Sequence, residues 1–419
     1  MSDRHTRREF SRRAALVGLG VGVSRLAPET LVAHDTLPSR DGWQEGRLAA
    51  EEFAHQREGV YLNHAASSPL PRRSSEALRR YTDDRERLFH LYATGTQDYA
   101  LPVLQQKVGR LLNVPPDLVA FVPTTTEAMG AALNSIDWRP GDNVVFPANE
   151  FPGVSYPCLH LARRGVTVKQ VPVEGHADLA RVLEAIDART RAVAISWVHW
   201  LTGHRIDIAA LGAACRARGV LSIVDAIQGV GAVPVDVGAA QVDFLVAGSY
   251  KWLMAVPGTA AVYASPQFIA AVTPDRAGHA SMRTSVYDAP RIDWHPGAAR
   301  FQVGGPINPA LVALERSVDL LHEVGVARIA VHIETLLAAL ERGLRNAGFR
   351  FNSDRSPAHR STFVNVTSGD LARDDRIVKA LLDQRIVVGR RGPGIRVAPH
   401  LHNAVADVER FVSAARAVT

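Results

Sequence analysis

Three short stretches place reactive residue types where strand patterns end. The run Val122-Pro123-Thr124-Thr125-Thr126-Glu127-Ala128 closes one such pattern and opens a helical one. A helix start leaves backbone N–H groups without partners, and hydroxyls beside them suit an anion such as phosphate. Threonines are also ordinary helix caps. Asp225, in Val224-Asp225-Ala226-Ile227-Gln228, follows the apolar stretch 220–224. That carboxyl edge is where open α/β sheets take ligands. A carboxylate there can keep a heterocyclic nitrogen protonated, or can simply cap the next helix. Lys251 stands in Ala247-Gly248-Ser249-Tyr250-Lys251-Trp252, just past the apolar stretch 244–247. A lysine closing a buried strand is costly unless it is paired, modified, catalytic or snorkelling to water. Burial lowers its pKa and makes the amine a usable nucleophile for a carbonyl. The three together ask for a ligand with a phosphate, a basic ring nitrogen and an aldehyde.

Pyridoxal 5′-phosphate (PLP) carries all three. In that assignment Lys251 forms the Schiff base, Asp225 stabilises the pyridinium as electron sink, and the threonine loop holds the phosphate. The elements that would position them are legible as alternation. Apolar runs at 118–122, 143–147, 167–173, 192–198, 220–224 and 243–247 are separated by helical patterns such as 126–136, 177–186 and 208–217. Strand and helix at this spacing predict an α/β fold with a mostly parallel, buried sheet. After Gly305-Pro306 the pattern changes to long helical stretches, 309–324 and 326–347, then short apolar runs at 363–366 and 395–398. The expected organisation is a large α/β domain with its N-terminal arm at 35–305 and a smaller α+β domain at 306–419. No repeat of 20–50 residues is visible.

A chain of 419 residues exceeds what one hydrophobic core usually organises. Its 47% hydrophobic and 21% charged residues exclude a disordered chain, a fibre and a polytopic membrane protein. Two cysteines, Cys158 and Cys215, build neither a disulfide framework nor a four-cysteine zinc site. His199 and His204 lack a third ligand at matching spacing, so no metal site is expected. The net charge is +6, and residues 1–25 hold six arginines against Asp3 and Glu9. The folded body therefore carries little excess charge, which removes the motive for a nucleic-acid reading. Thr6-Arg7-Arg8-Glu9-Phe10-Ser11-Arg12, followed by a glycine-rich apolar run at 14–23, resembles a twin-arginine export signal over residues 1–34. The run is too short to span a bilayer. Export to the periplasm or outside the cell is expected, with a cytoplasmic protein bearing a basic arm as the alternative.

The spacing Asp225-x-x-Gln228, with Ser249-Tyr250-Lys251 ending twenty-six residues past the aspartate, resembles the class V aminotransferase group of fold-type I PLP enzymes. That group contains cysteine desulfurases, isopenicillin N epimerase-like proteins and kynureninases. The resemblance covers nearly the whole chain after the signal, and its implications are specific. Tyr61-Leu62-Asn63-His64-Ala65-Ala66 is similar to a motif that lines the substrate side, implicating Asn63 and His64. Thr125 and Thr126 match the phosphate loop, with Ser249 and Tyr250 beside the cofactor lysine. In Glu150-Phe151-Pro152, Phe151 falls where an aromatic residue stacks on the ring, and Gln228 would bond the ring hydroxyl. Gly305 lies where a neighbouring subunit usually lends a phosphate contact, so a homodimer with a shared site is implied. Ile395-Arg396-Val397-Ala398-Pro399, followed by Asn403, resembles the segment whose arginine clamps a substrate α-carboxylate.

Phe151-Pro152, Ser249-Tyr250-Lys251 and residues 395–399 lean toward the kynureninase side. The bulky polar run 197–205, with His199 and Trp200 as pocket candidates, need not suit kynurenine. A persulfide-forming desulfurase needs a cysteine in a loop shortly before the arginine, and residues 387–394 contain none. The expectation is thus an enzyme working at the α-carbon of an amino acid or amino-acid-containing metabolite, broadly an aminotransferase. C–S or C–C lyase and epimerase activities are close alternatives. A PLP-binding or cofactor-dead scaffold is the non-enzyme alternative, disfavoured by the joint presence of Asp225, Lys251 and Arg396.

Overall fold

The computed structural model describes residues 51–54, 58–87, 101–305 and 307–418. The expected export signal at 1–34 lies outside these residues. The described residues fall within one compact unit, Trp43–Thr419.

The apolar runs become a seven-stranded sheet. Its strands are β2 (Val119–Val122), β3 (Asn143–Pro147), β4 (Thr167–Val171), β5 (Thr190–Ser196), β6 (Leu221–Asp225), β7 (Phe244–Gly248) and β8 (Ala260–Ala264), in the order β2-β8-β7-β6-β5-β3-β4. Neighbours from β7 to β4 pair in parallel; β8 pairs antiparallel with both β7 and β2. Alternate side chains leave a strand on opposite faces, and here both faces are apolar. Ala120, Val144, Ala194, Ile223 and Val246 pack against the helices Thr125–Asn134 and Pro152–His160. Phe121, Val145, Ile195, Val224 and Leu245 enter the other core, with the helices Ile208–Ala217 and Asn308–Val324. Burial on both sides explains why these strands read as continuous apolar runs.

Strand β8 was not visible in the sequence. Its Ala-Ala-Val-Tyr-Ala run carries three alanines, a residue depleted in strands. The mostly parallel sheet therefore holds one reversed strand, beside the strand that leads to Lys251.

Beyond residue 307 come the helices Asn308–Val324 and Val326–Arg345. They are followed by a four-stranded antiparallel sheet of β9 (Arg350–Phe351), β10 (Val364–Thr367), β12 (Gly389–Arg391) and β13 (Gly394–Val397). The helices Leu371–Asp383 and Val405–Ala417 complete the layer. One pairing joins distant parts of the chain: β1 (Val60–Tyr61) runs parallel to β11 (Ile386–Val387). No described helix is long and apolar enough to cross a membrane.

Candidate active site

The large sheet delivers its chemistry at the carboxyl ends of its parallel strands, where backbone groups run out of partners. Asp225 is the last residue of β6 and is 3% exposed. Its Oδ1 accepts a hydrogen bond from the Ile227 N–H at 3.0 Å, so it also serves the turn behind it. Burial raises its pKa to about 6, opposed by that bond and by the charge on Lys251. Such a group is poised to hold, or share, a proton with a basic partner.

Lys251 lies three residues past β7, in a turn closed by the Met254 N–H on the Lys251 carbonyl at 2.9 Å. It is 7% exposed. Burial lowers the amine to about 8; Asp225 opposes the shift, while the positive charges of Arg396 and Arg391 add to it. Neighbours hold the turn in place. The Ser68 N–H donates to the Tyr250 carbonyl at 2.8 Å, and the Ser249 hydroxyl donates to the Val256 carbonyl at 2.6 Å. Ser249 is thus spent on the backbone, and the half-buried Tyr250 keeps its ring 5.9 Å from the Lys251 Nζ.

Gln228 is buried as well. Its Nε2 donates to the Ala65 carbonyl at 2.9 Å, and its Oε1 accepts from the Trp252 indole at 2.9 Å. One N–H of the amide remains for a ring hydroxyl. Phe151 behaves differently: it is a large apolar side chain left 40% exposed, 5.6 Å from the Lys251 Nζ and edge-on to Trp200 at 5.8 Å. A bare aromatic face beside a buried amine is a stacking platform for a flat ring.

The helix Thr125–Asn134 starts beside this group. Thr124, not Thr125, is its N-cap and accepts from the Glu127 N–H at 3.1 Å. That leaves the Thr125 Oγ1 buried without a protein partner. The hydroxyl packs against β7 so tightly that a Cβ on Gly248 would stand 2.9 Å from it. Thr126 is exposed at the same helix start. Gly305 is exposed on a chain segment that, with Pro123, Glu127, Gly258 and Arg276, lines a small cavity of about 80 Å³.

The small sheet supplies the opposite wall. Arg396, in the middle of β13, is 3% exposed and donates to the Trp200 carbonyl at 2.8 Å. Its Nε has no partner, and its guanidinium lies 5.5 Å from the Phe363 ring. Among the described residues no acidic side chain pairs with it. Burial and the nearby Arg391 lower it to about 10. Asn63 bridges to Ala398, two residues past Arg396, and its Oδ1 is also without a partner. Gly389 permits this approach, since a Cβ there would stand 2.9 Å from that oxygen. Asn403 donates to the Tyr61 carbonyl at 3.1 Å and so locks the two segments together.

The two histidines take different places. His64 is buried, its Nδ1 2.7 Å from the Ser68 hydroxyl, among the rings of Trp252, His400 and His402. The His199 Nε2 lies 3.1 Å from the Asn149 carbonyl, which can only accept, so the Nδ1 accepts from Thr202 at 2.9 Å. Both His199 nitrogens are engaged, and the residue fixes the loop that presents Trp200.

Two groups escaped the sequence reading. Glu150 is wholly buried and accepts from both the N–H and the hydroxyl of Ser196; burial lifts its pKa to about 7. Its partner Ser196 stands 46 residues further along the chain, so spacing gives no sign of the pair. Arg391 shares a hairpin face with Arg396, being register partner to Gly394, two residues away. Only strand pairing reveals that.

The sequence matches the family profile for aminotransferase class-V over residues 60–417. The chain belongs to the class-V aminotransferase family. This class-V chain is 28% identical over 325 residues to an uncharacterized aminotransferase of Bacillus subtilis, covering 75% of the chain and 83% of that protein. It is 28% identical over 283 residues to a probable cysteine desulfurase of Methanothermobacter thermautotrophicus, covering 66% and 70% respectively. Among solved structures it resembles the cystine C–S lyase C-DES in complex with cysteine persulfide. The TM-score is 0.79 at 22% identity, over 88% of this chain and 100% of that one. The same lyase is known as a mutant with glycine covalently linked to its PLP cofactor. The fold is that of the fold-type I PLP enzymes, and the cofactor is PLP. The residues fit it: an unpartnered buried hydroxyl at a helix start, a buried carboxylate, a bare aromatic face and a buried amine surround one space.

Proposed function

We propose that this class-V enzyme works at the α-carbon of a free amino acid or an amino-acid-containing metabolite, with amino-group transfer as its principal outcome. One observation carries the reading. Arg396 is a buried guanidinium with no acidic partner among the described residues, and its charge is felt at Lys251. A buried cation without a counter-ion asks for an anion from outside, and a planar fork suits a carboxylate. The Asn63 amide N–H would donate to that carboxylate, while the Trp200 carbonyl holds the Arg396 fork in place, leaving the amino group facing Lys251.

When bound, PLP supplies the electron sink for bonds at the α-carbon. The protein supplies the rest. Thr125 and Thr126 would hold the phosphate, Phe151 would stack on the ring, and Asp225 and Gln228 would fix its nitrogen and hydroxyl. Once free, the Lys251 amine, held near pH 8, takes the α-proton and returns it.

A persulfide route fits this chain poorly, although several relatives are named cysteine desulfurases. Residues 387–394 contain no cysteine, and Cys158 and Cys215 are both buried. Burial pushes the Cys215 thiol up to about 12 and the Cys158 thiol higher still, against thiolate formation. A homodimer sharing its sites and twin-arginine export belong to the same proposal. The exposed Val286, Tyr287 and Ile292 and the outward-facing Gly305 support the first; the residues around Arg7-Arg8 support the second.

The test incubates PLP-loaded protein with a panel of amino acids in D2O, following visible absorbance and the α-proton signal by NMR. Spectral change with loss of the α-proton for some of the panel is expected. No exchange and no spectral change with any of them would overturn the proposal.

A further inference from the structure

Three chain segments meet beside the site but outside its chemistry. His176 lies after β4, His204 closes the hairpin that follows β5, and Asp354 belongs to the loop after β9. One ligand atom from each lies within 4.8 Å of the other two. His204 is 4% exposed, and its Nδ1 has no hydrogen-bond partner. The Asp354 Oδ2 stands 3.9 Å away, too far for a hydrogen bond. The other carboxylate oxygen is spoken for, accepting the Ser356 N–H at 2.8 Å, which aims Oδ2 at the histidine.

A buried ring nitrogen without a hydrogen-bond partner and a carboxylate oxygen 3.9 Å from it can both offer lone pairs to a cation, the imidazole as the tautomer with a bare Nδ1. We propose that His176, His204 and Asp354 bind a divalent cation of the zinc class. Two imidazoles and one carboxylate are a donor set that zinc favours, with water in the fourth position. Ligand atoms around tetrahedral zinc stand about 3.3 Å apart, so the trio must draw together. His176 is the member that would swing: it is half-buried and follows Gly175, and its 4.0 Å stack on His204 must open, because an ion lies in the plane of each imidazole that binds it. His204 is the fixed member. His359 stacks on it at 4.3 Å, necessarily on the opposite face, and the His359 Nδ1 lies 2.9 Å from the Arg205 carbonyl. Sequence spacing gave His204 no third ligand; the fold brings one from either side of it in the chain.

The ion would act as a clamp. The hairpin 198–205 already leans on the loop after β9 through Ser353 on the Thr202 carbonyl and Ser361 on the Gly203 carbonyl. The same hairpin presents the Trp200 carbonyl to Arg396 at 2.8 Å. A cation bridging the hairpin to its neighbours on both sides fixes the wall against which Arg396 is held.

The test titrates untagged, PLP-loaded, chelator-treated protein with cobalt(II), then with zinc(II). One equivalent of cobalt giving the visible bands of tetrahedral coordination, discharged by zinc, is expected. Asp354→Asn retains the acceptor for Ser356, and His176→Ala alters only a half-buried loop; each should weaken zinc binding at least about tenfold. His204→Ala should abolish it, and the other two variants keep the test valid if that protein misfolds. A wild type that takes up no cobalt, or binds it no tighter than His176→Ala/Asp354→Asn, overturns the site.

Discussion

Arg396 is a buried cation with no acidic partner among the described residues. Arg396→Ala should lower kcat/KM by about 30-fold or more, since losing a buried charged partner costs ~2 kcal/mol or more. Most of the loss should lie in KM, read from steady-state kinetics; a loss confined to kcat would refute a carboxylate role. Lys251→Ala should remove the red shift that PLP undergoes on joining the protein and cut turnover by about 10²–10⁴-fold, with far-ultraviolet circular dichroism unchanged. The amine reacts only when neutral, so PLP uptake by cofactor-free protein should rise with pH and level off above about 8. Glu150 makes a stability prediction. Its pKa of about 7 in the fold exceeds the unfolded value of 4.5, so the folded state holds the extra proton. That stability is complete below pH 4.5 and is lost as pH rises through 7. Relative to Glu150→Gln, the cofactor-free protein should therefore lose on the order of 2–3 kcal/mol between pH 5 and 8, measured by urea unfolding. A difference flat with pH would show that Glu150 titrates normally. At this scale the sequence was generous where a residue type is out of place. Asp225 and Lys251 end apolar runs, and Arg396 interrupts one. Glu150 and Arg391 were hidden because their neighbours, Ser196 and Arg396, adjoin them only in space.

Elements were legible according to how they are buried. Strands β3, β6 and β7 read as unbroken apolar runs because helices cover both faces; the alanine-rich β8 lacked that contrast. Pairing between distant segments was not legible at all, because β1 and β11 are two residues each and carry no periodicity. Their contact nevertheless positions the wall proposed for substrate, and Gly389 packs closely against Asn63 there. Gly389→Ala would place a methyl group 2.9 Å from the Asn63 Oδ1, and the amide must turn away. The expected result is a raised KM with kcat and PLP binding retained; an unchanged KM would remove Asn63 from substrate contact.

For the whole molecule, sedimentation equilibrium of PLP-loaded protein should give twice the chain mass, and a fully active monomer would exclude a shared site. Replacing Arg7 and Arg8 by lysine should leave the protein in the cytoplasmic fraction if the export reading holds. The pairing of β1 with β11, and of Asn63 with Ala398, also fixes an order of events during synthesis. The wall begun at residue 60 waits for residues near 400, and closing so long a loop adds entropy that local helices do not incur. A ribosome therefore releases almost the entire chain before that wall exists. With Arg396 in the proposed role, polypeptides cut short before it would lack the carboxylate clamp, so premature termination should yield inert fragments rather than weakly active ones.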